Sequence, residues 1–492
     1  MALPAVAGTL SVVSHTPARN SSTALPGTTI AVTFNLPLNT ATVTATSFRA
    51  YGRWSGPASG AFAFSNANQT VTLTPNRPFS AGETVFVNLA NTLQAADGSP
   101  LRSAGYAFLF GIRVLGGSAE MVEIDQLSVQ TTASATRLYG GFAADFDHDG
   151  WLDLAGVNEV SHDLRILFNR DDGSGLFNPV HLPVTPIGVE ASPNEPGDFD
   201  NDGEVDAAIV NASDGTVSVV LGHGDGSFDP QQVLTVGSGP HGIAVLDVDG
   251  DGDWDVVTGG YNSNNMTLYR NNGSGVFGSS SSFDAGGNGE WPVAAGDMNN
   301  DGITDLVVGT ANDAKVHVLT GNGNGTFTHA SSAASGGFTW MLALGDVNGD
   351  GNLDVSVANG GDSNGGILLG NGAGGLAAAV TYAIGGSAVA TDLGDLDGDG
   401  DLDWVLSSFG AARWYFKRNG GNGTFSDLGE IAAPQSGSCA VLFDADNDGD
   451  LDAALFDELA DTIQVIRNLG GNPVFADGFE TGNTSAWAAQ VP

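Results

Sequence analysis

Seven copies of one acidic pattern, D-x-D-x-D-G-x-x-D, constrain this chain more than anything else in it. They begin at Asp145, Asp198, Asp247, Asp297, Asp346, Asp395 and Asp444, at intervals of 53, 49, 50, 49, 49 and 49 residues. Self-similarity at a period near 50 means a repeat architecture, in which no unit can bury its apolar face alone.

Every unit has the same internal order. A short apolar strand leads in, as in Val293-Ala-Ala-Gly, and the acidic loop follows. A second apolar strand comes next (Asp305-Leu-Val-Val-Gly, Asp206-Ala-Ala-Ile-Val), then a third (Val316-His-Val-Leu, Val217-Ser-Val-Val-Leu). A Gly/Asn turn then leads to an aromatic, as in Gly321-Asn-Gly-Asn-Gly-Thr-Phe327, with Leu376 in its place once. A weaker fourth strand closes the unit, such as Val380-Thr-Tyr-Ala. Four short strands per repeat, seven times over, predict an all-β fold with a seven-bladed β-propeller over residues 115–475. A solenoid is the competing architecture, but its turns are shorter than four full strands. Within 115–132, the segment Met121–Gln130 precedes the first loop, where every other unit places the preceding blade's fourth strand. It is expected to pair into the last blade and close the ring, which removes an open sheet edge.

Residues 1–114 lack the loops. Alternating stretches at Thr29–Phe34, Thr70–Thr74, Thr84–Asn88 and Tyr106–Phe110 predict a β-sandwich. The pieces Ser14-His-Thr-Pro17, Leu73-Thr-Pro75, Ala95-Ala-Asp-Gly98-Ser-Pro-Leu101 and Phe108-Leu-Phe110 make it similar to a bacterial Ig-like domain of S-layer and other surface proteins. That resemblance implies a spacer or stalk. Residues 476–492 leave the repeat. They resemble a short Gly-Phe-Glu-x-Gly…Trp tail of secreted proteins of Gram-negative bacteria, which implies either sorting or a strand on the last blade.

The loop chemistry points to calcium, a hard cation that takes six to eight oxygens in a flexible shell. The candidate ligands are Asp145, Asp147, Asp149 and Asp153; Asp198, Asp200, Asp202 and Asp206; Asp247, Asp249, Asp251 and Asp255. They continue with Asp297, Asn299, Asp301 and Asp305; Asp346, Asn348, Asp350 and Asp354. The last two loops supply Asp395, Asp397, Asp399 and Asp403, and Asp444, Asp446, Asp448 and Asp452. Positions 1, 3 and 5 converge from a tight turn that the glycine at position 6 permits. Position 7 offers its backbone carbonyl, and the aspartate at position 9 could be bidentate. An EF-hand needs Glu at position 12 between helices; here that position is Gly156, Ile209, Thr258, Val308, Val357, Leu406 or Leu455, between strands. About seven calcium ions are therefore expected. The two sites with Asn299 and Asn348 should be weaker, because each lacks one charge.

The loops also explain the charge. The chain holds 56 acids against 15 bases, a net −41, and 26 of the acids are loop aspartates. Such a chain repels phosphate, which argues against nucleic acid as a partner. No apolar run is long enough for a membrane span. Cys439 is the single cysteine and reads as a small buried side chain. Met1–Gly8 lacks a basic n-region and an apolar h-region, so the expectation of a secreted or cell-surface protein rests on the loops. They need millimolar calcium, which is found outside cells.

Together the units resemble FG-GAP/VCBS repeats, the family of the integrin α-subunit propeller and many bacterial surface proteins. The Phe-Gly…Gly-Ala-Pro part is replaced by Gly141-Phe-Ala-Ala, Gly289-Glu-Trp-Pro and Gly337-Phe-Thr-Trp, which puts an integrin-like ligand site in doubt. The resemblance implies calcium binding, an extracellular location, and adhesion or carbohydrate binding. Strand alternation puts the loops on one face of the ring. The opposite face collects His241, Glu290, Trp291, Trp340 and Tyr261, together with Glu159 and His162. Aromatics among polar groups suit a glycan or an extracellular protein; the plainer reading packs Trp291 and Trp340 between blades. Three function classes follow: a binding or adhesion protein, a self-assembling surface-layer or fibre scaffold, and a polysaccharide-acting enzyme using Glu159 or Glu290. The chain carries no H-E-x-x-H and no His/Cys cluster, so the expectation is a non-enzyme.

Overall fold

The computed structural model describes residues 8–131 and 136–470. Phe475 and the tail at 476–492 lie outside the described residues. Nine four-stranded sheets make up the fold, two in the N-terminal domain and seven in the repeats.

The N-terminal sheets are Val12–Thr16, Ile30–Phe34, Thr70–Pro75, Gly60–Ser65 and Gly56–Pro57, Phe48–Gly52, Thr84–Leu89, Tyr106–Gly111, each in spatial order. Ile30, Val32, Phe34, Val71 and Leu73 from one face Phe48, Val85, Val87, Phe108 and Phe110 from the other in one core. Four of these strands carry the alternation that predicts them. Phe48–Gly52 does not, because every residue in it is buried, Arg49 included.

Each repeat is an antiparallel sheet of consecutive strands, for example Glu290–Gly296, Asp305–Thr310, Lys315–Gly321 and Phe327–Ala334. The second strand is wholly buried in all seven units. It is covered by neighbouring sheets on both faces, which is why it reads as a continuous apolar run. The outer strands are largely exposed, as in Val380–Ala383. First strands of successive units touch one another, and that of the seventh touches that of the first. The fourth strand of the last sheet is Met121–Ser128, antiparallel to Thr462–Asn468.

Two features position the functional residues. Every first strand has a register irregularity just after its opening residue. Such a bulge re-aims the side chain that follows it. The N-terminal domain lies on the loop face of the ring. Arg53 reaches to 3.6 Å from Asp392 of a first strand, and the Asp145 N–H donates to the Trp54 carbonyl at 3.0 Å. Charge accounts for the docking: residues 8–114 hold six arginines and only Glu83 and Asp97 as acids, against a strongly acidic ring.

Candidate functional site

Each loop joins a first strand to a second, and three residues set its shape. The position-6 glycines all have positive φ, from 77° at Gly302 to 98° at Gly252, a region that side chains with a Cβ rarely occupy. In six of the seven loops the position-1 aspartate turns Oδ2 onto that glycine's N–H, at 2.7 Å for Asp346 and Gly351. The position-9 aspartate gives both oxygens to backbone. For Asp305, Oδ2 accepts from Met298 N at 2.9 Å and Oδ1 from Gly321 N at 2.8 Å. The same pair recurs in the other six units. Position 9, which the sequence casts as a bidentate ligand, is thus first a latch between the loop and the turn before the fourth strand. Each oxygen retains a further lone pair for a cation.

In five loops, one oxygen from each of three aspartates lies within 4.8 Å of the others: 145/147/153, 198/200/206, 247/249/251, 395/397/399 and 444/446/452. The two loops with Asn299 and Asn348 have one carboxylate fewer. The donor set fits a hard cation. Oδ1 of Asp145, Asp198, Asp249 and Asp450 is buried with no hydrogen-bond partner among the described residues. Meanwhile Arg77, Arg49 and Arg270 lie against the Oδ2 atoms of Asp145, Asp198 and Asp249, at 3.5, 3.2 and 3.4 Å. The outer oxygen is engaged by an arginine and the inner one is left for a cation. Burial pushes Asp153 and Asp206 up to about 8 and Asp305, Asp354 and Asp403 up to about 7, with neighbouring loop carboxylates adding to the effect. A cation removes that cost by neutralising the cluster.

At the other end of the ring, the structure brings four of the five sequence candidates together. His241, Trp291 and Trp340 are the second residues of the first strands of units three, four and five, where the bulge turns them inward. Trp291 lies 4.5 Å from His241, 5.2 Å from Trp340 and 4.7 Å from Tyr261, centroid to centroid. They pack against one another with their rings tilted or edge-on. Two further residues belong to the cluster and are absent from the sequence reading. Phe338 packs against Trp291 and Trp340, and Tyr139, from the first unit, reaches across to both His241 and Trp340. Tyr139 occupies the same second strand position as the other three, and aligning the repeats would have exposed it.

Trp340 Nε1–H donates to the Tyr139 hydroxyl at 3.2 Å, and that hydroxyl shares a hydrogen bond with His241 Nε2 at 2.8 Å whose direction depends on the His241 tautomer. Burial lowers His241 to about 3, so the ring is neutral. The His241 Nδ1 and the Trp291 Nε1 are buried without partners among the described residues. Trp291, Trp340, Phe338 and Tyr261 are half-buried. Glu290 does not join them: it is fully buried, with both carboxylate oxygens unpartnered among the described residues. Glu159 is paired with Arg137 at 3.0 Å and raised to about 7 by burial and the nearby Glu458.

Asparagines tie neighbouring sheets, which the loop motif does not reveal. Asn169, Asn271, Asn419 and Asn468 each donate a side-chain N–H to the position-2 carbonyl of the preceding loop, at 2.6–2.8 Å (Ala445, Phe199, Val347 and Leu396).

The chain is similar to BBS1N in its complex with ARL6DN (TM-score 0.50, 10% identity, covering 72% of this chain and 98% of that one). It is also similar to an Agrocybe aegerita lectin that recognises non-reducing terminal N-acetylglucosamine (TM-score 0.43, 21% identity, 63% and 84% covered). A third likeness is to a protein from Lactobacillus plantarum (TM-score 0.49, 14% identity, 80% and 98% covered). No curated protein matches. A bacterial Ig-like domain model matches residues 7–111. The FG-GAP-like repeat model matches at 145–209, 198–258, 247–308, 297–357, 346–406 and 395–455, each match running from one acidic loop through the next. With well over half of its length covered in this way, the chain belongs to the FG-GAP-like repeat family and carries an N-terminal bacterial Ig-like domain.

Proposed function

We propose that this chain is a secreted or cell-surface binding protein, a seven-bladed β-propeller stabilised by about seven calcium ions. It recognises a glycan or an extracellular protein on the face away from the calcium loops, and it binds without turnover. The aromatic cluster carries the reading: half-buried Trp291, Trp340, Phe338 and Tyr261 lie beside the buried Trp291 Nε1–H and His241 Nδ1, neither with a partner among the described residues. Flat apolar faces beside unpartnered polar atoms suit a sugar ring, which offers C–H faces and hydroxyls together. The loop face supports the same choice, because the Ig-like domain already covers much of it. Calcium is favoured over magnesium because the loops offer many carboxylate oxygens in a flexible turn.

Glycan-array screening of the full chain in millimolar calcium tests the reading. Phe338→Ala and Trp291→Ala should each weaken binding about tenfold to thirtyfold without moving the melting temperature of the ring. Binding that survives both substitutions would sink the assignment of this face. Concentration-dependent assembly with no hit on the array would favour the surface-layer or fibre scaffold.

A further inference from the structure

Every one of the seven acidic loops is touched by the N-terminal domain or by the short link that follows it. Two kinds of loop atom recur among these contacts. The first is the position-6 glycine carbonyl. Gly252 O accepts from Arg49 at 2.9 Å, Gly302 O from Arg102 at 2.6 Å and from Ala107 N at 2.8 Å, and Gly351 O from Asn20 Nδ2 at 2.9 Å. Gly400 O accepts from Ser22 Oγ at 3.2 Å and Gly449 O from Leu115 N at 2.7 Å. The second is the outer oxygen of the position-1 carboxylate. Asp297 Oδ2 accepts from Arg19 at 3.0 Å, Asp198 Oδ2 from Arg49 at 3.2 Å and Asp247 Oδ2 from Asn88 Nδ2 at 2.7 Å. Arg77 lies 3.5 Å from Asp145 Oδ2. On two of these same aspartates, Asp145 and Asp198, the inner Oδ1 is buried without a partner among the described residues.

We infer that the N-terminal domain docks on the cation-bound shape of the loops, so that calcium holds it on the ring and loss of calcium releases it. The inference rests on the reading of the loops as calcium sites. Its physical basis is the division of the carboxylates at Asp145 and Asp198: a cation takes the unpartnered Oδ1 and the domain meets Oδ2, so the two do not compete for an atom. Without the cation, the three carboxylates that lie within 4.8 Å in five of the loops repel one another and the turn opens. In those loops the glycine carbonyls then leave the positions that Arg49, Ser22 and the Leu115 N–H reach.

Charge alone argues the other way, since metal-free loops are more negative and should attract arginines more strongly. Geometry outweighs it here. The carbonyl contacts are directional and fail beyond a few tenths of an ångström. The ion pairs that would gain from extra charge are weak where exposed, as at Arg77, whose side chain is 56% exposed.

Small-angle X-ray scattering on the full chain tests this, with bound calcium counted in the same samples by atomic absorption. In calcium the particle should be compact. In chelator it should lengthen into two bodies while the far-UV β signal persists. An unchanged or shorter particle after verified metal loss would overturn the inference and leave the calcium sites standing. A chain that binds no calcium at all would overturn both. Should the chelated ring unfold, the variant Arg49→Met/Arg102→Met in saturating calcium decides. It should be extended, and by reciprocal linkage it should bind calcium about fivefold or more weakly. Wild-type affinity and a compact shape in that variant would also overturn the inference.

Discussion

Asp305 gives both carboxylate oxygens to the backbone, to Met298 N and Gly321 N, and its counterparts do the same in every unit. Asp305→Ala should leave two buried N–H groups without acceptors and destabilise the chain by about 3 kcal/mol even in saturating calcium. Asp305→Asn retains one acceptor and should cost roughly half as much. Urea unfolding in calcium measures both, and equal losses for the two variants would argue against the latch. The motif made position 9 visible in the sequence but not its double role. Its backbone partners lie 7 and 16 residues away, and only the closed sheet brings them together. Glu290 shows the same limit. Its sequence neighbourhood suggests an exposed acid on the binding face, yet the sheet buries it completely.

At the scale of elements, the closing strand was legible because the repeat fixes what each position should hold. Met121–Ser128 pairs with Thr462–Asn468, and its partly buried Met121, Ile124 and Leu127 pack on the core of the last sheet. Leu127→Asp should detach it at a cost of about 2–3 kcal/mol and leave the Thr462–Asn468 edge open to other chains. Size-exclusion chromatography should then show oligomers that the wild-type chain does not form; a monomeric variant with an unchanged melt would count against closure by this strand. Phe48–Gly52 was not legible. Its buried Arg49 breaks the apolar pattern, and the reason lies in another domain, where the guanidinium meets Asp198 and Gly252.

For the whole molecule, the metal should set stability. With free calcium about 2 mM and Kd about 0.1 mM, each site adds about 1.8 kcal/mol, and seven independent sites about 12 kcal/mol. Chelation should therefore lower the melting temperature by about 10–20 °C. It should also reverse the pH trend. The buried loop carboxylates have folded pKa values raised to about 7 or 8, above the ordinary carboxylate range, as at Asp153 and Asp403. The metal-free folded state thus holds protons that the unfolded chain has lost, and its stability falls as pH rises from about 4 to about 8. Calcium favours the deprotonated form, so the loaded protein should hold or gain stability over that range. Calorimetry at pH 5 and pH 8, with and without chelator, checks the sign; a chelated protein more stable at pH 8 would contradict it.

The sequence by itself determined the repeat, the strand order within each unit, the acidic loops whose carboxylates could hold a cation and the strand that completes the last sheet. All of these depend on local pattern, and seven copies in register make local pattern unambiguous. Only the tertiary structure decided which side chains meet across the ring and where the N-terminal domain rests. Tyr139 and Trp340 stand 201 positions apart, and Arg19 and Asp297 stand 278 apart. Such contacts depend on how strand bulges aim side chains and on how complementary charge brings two domains together. Neither leaves a periodic trace along the chain.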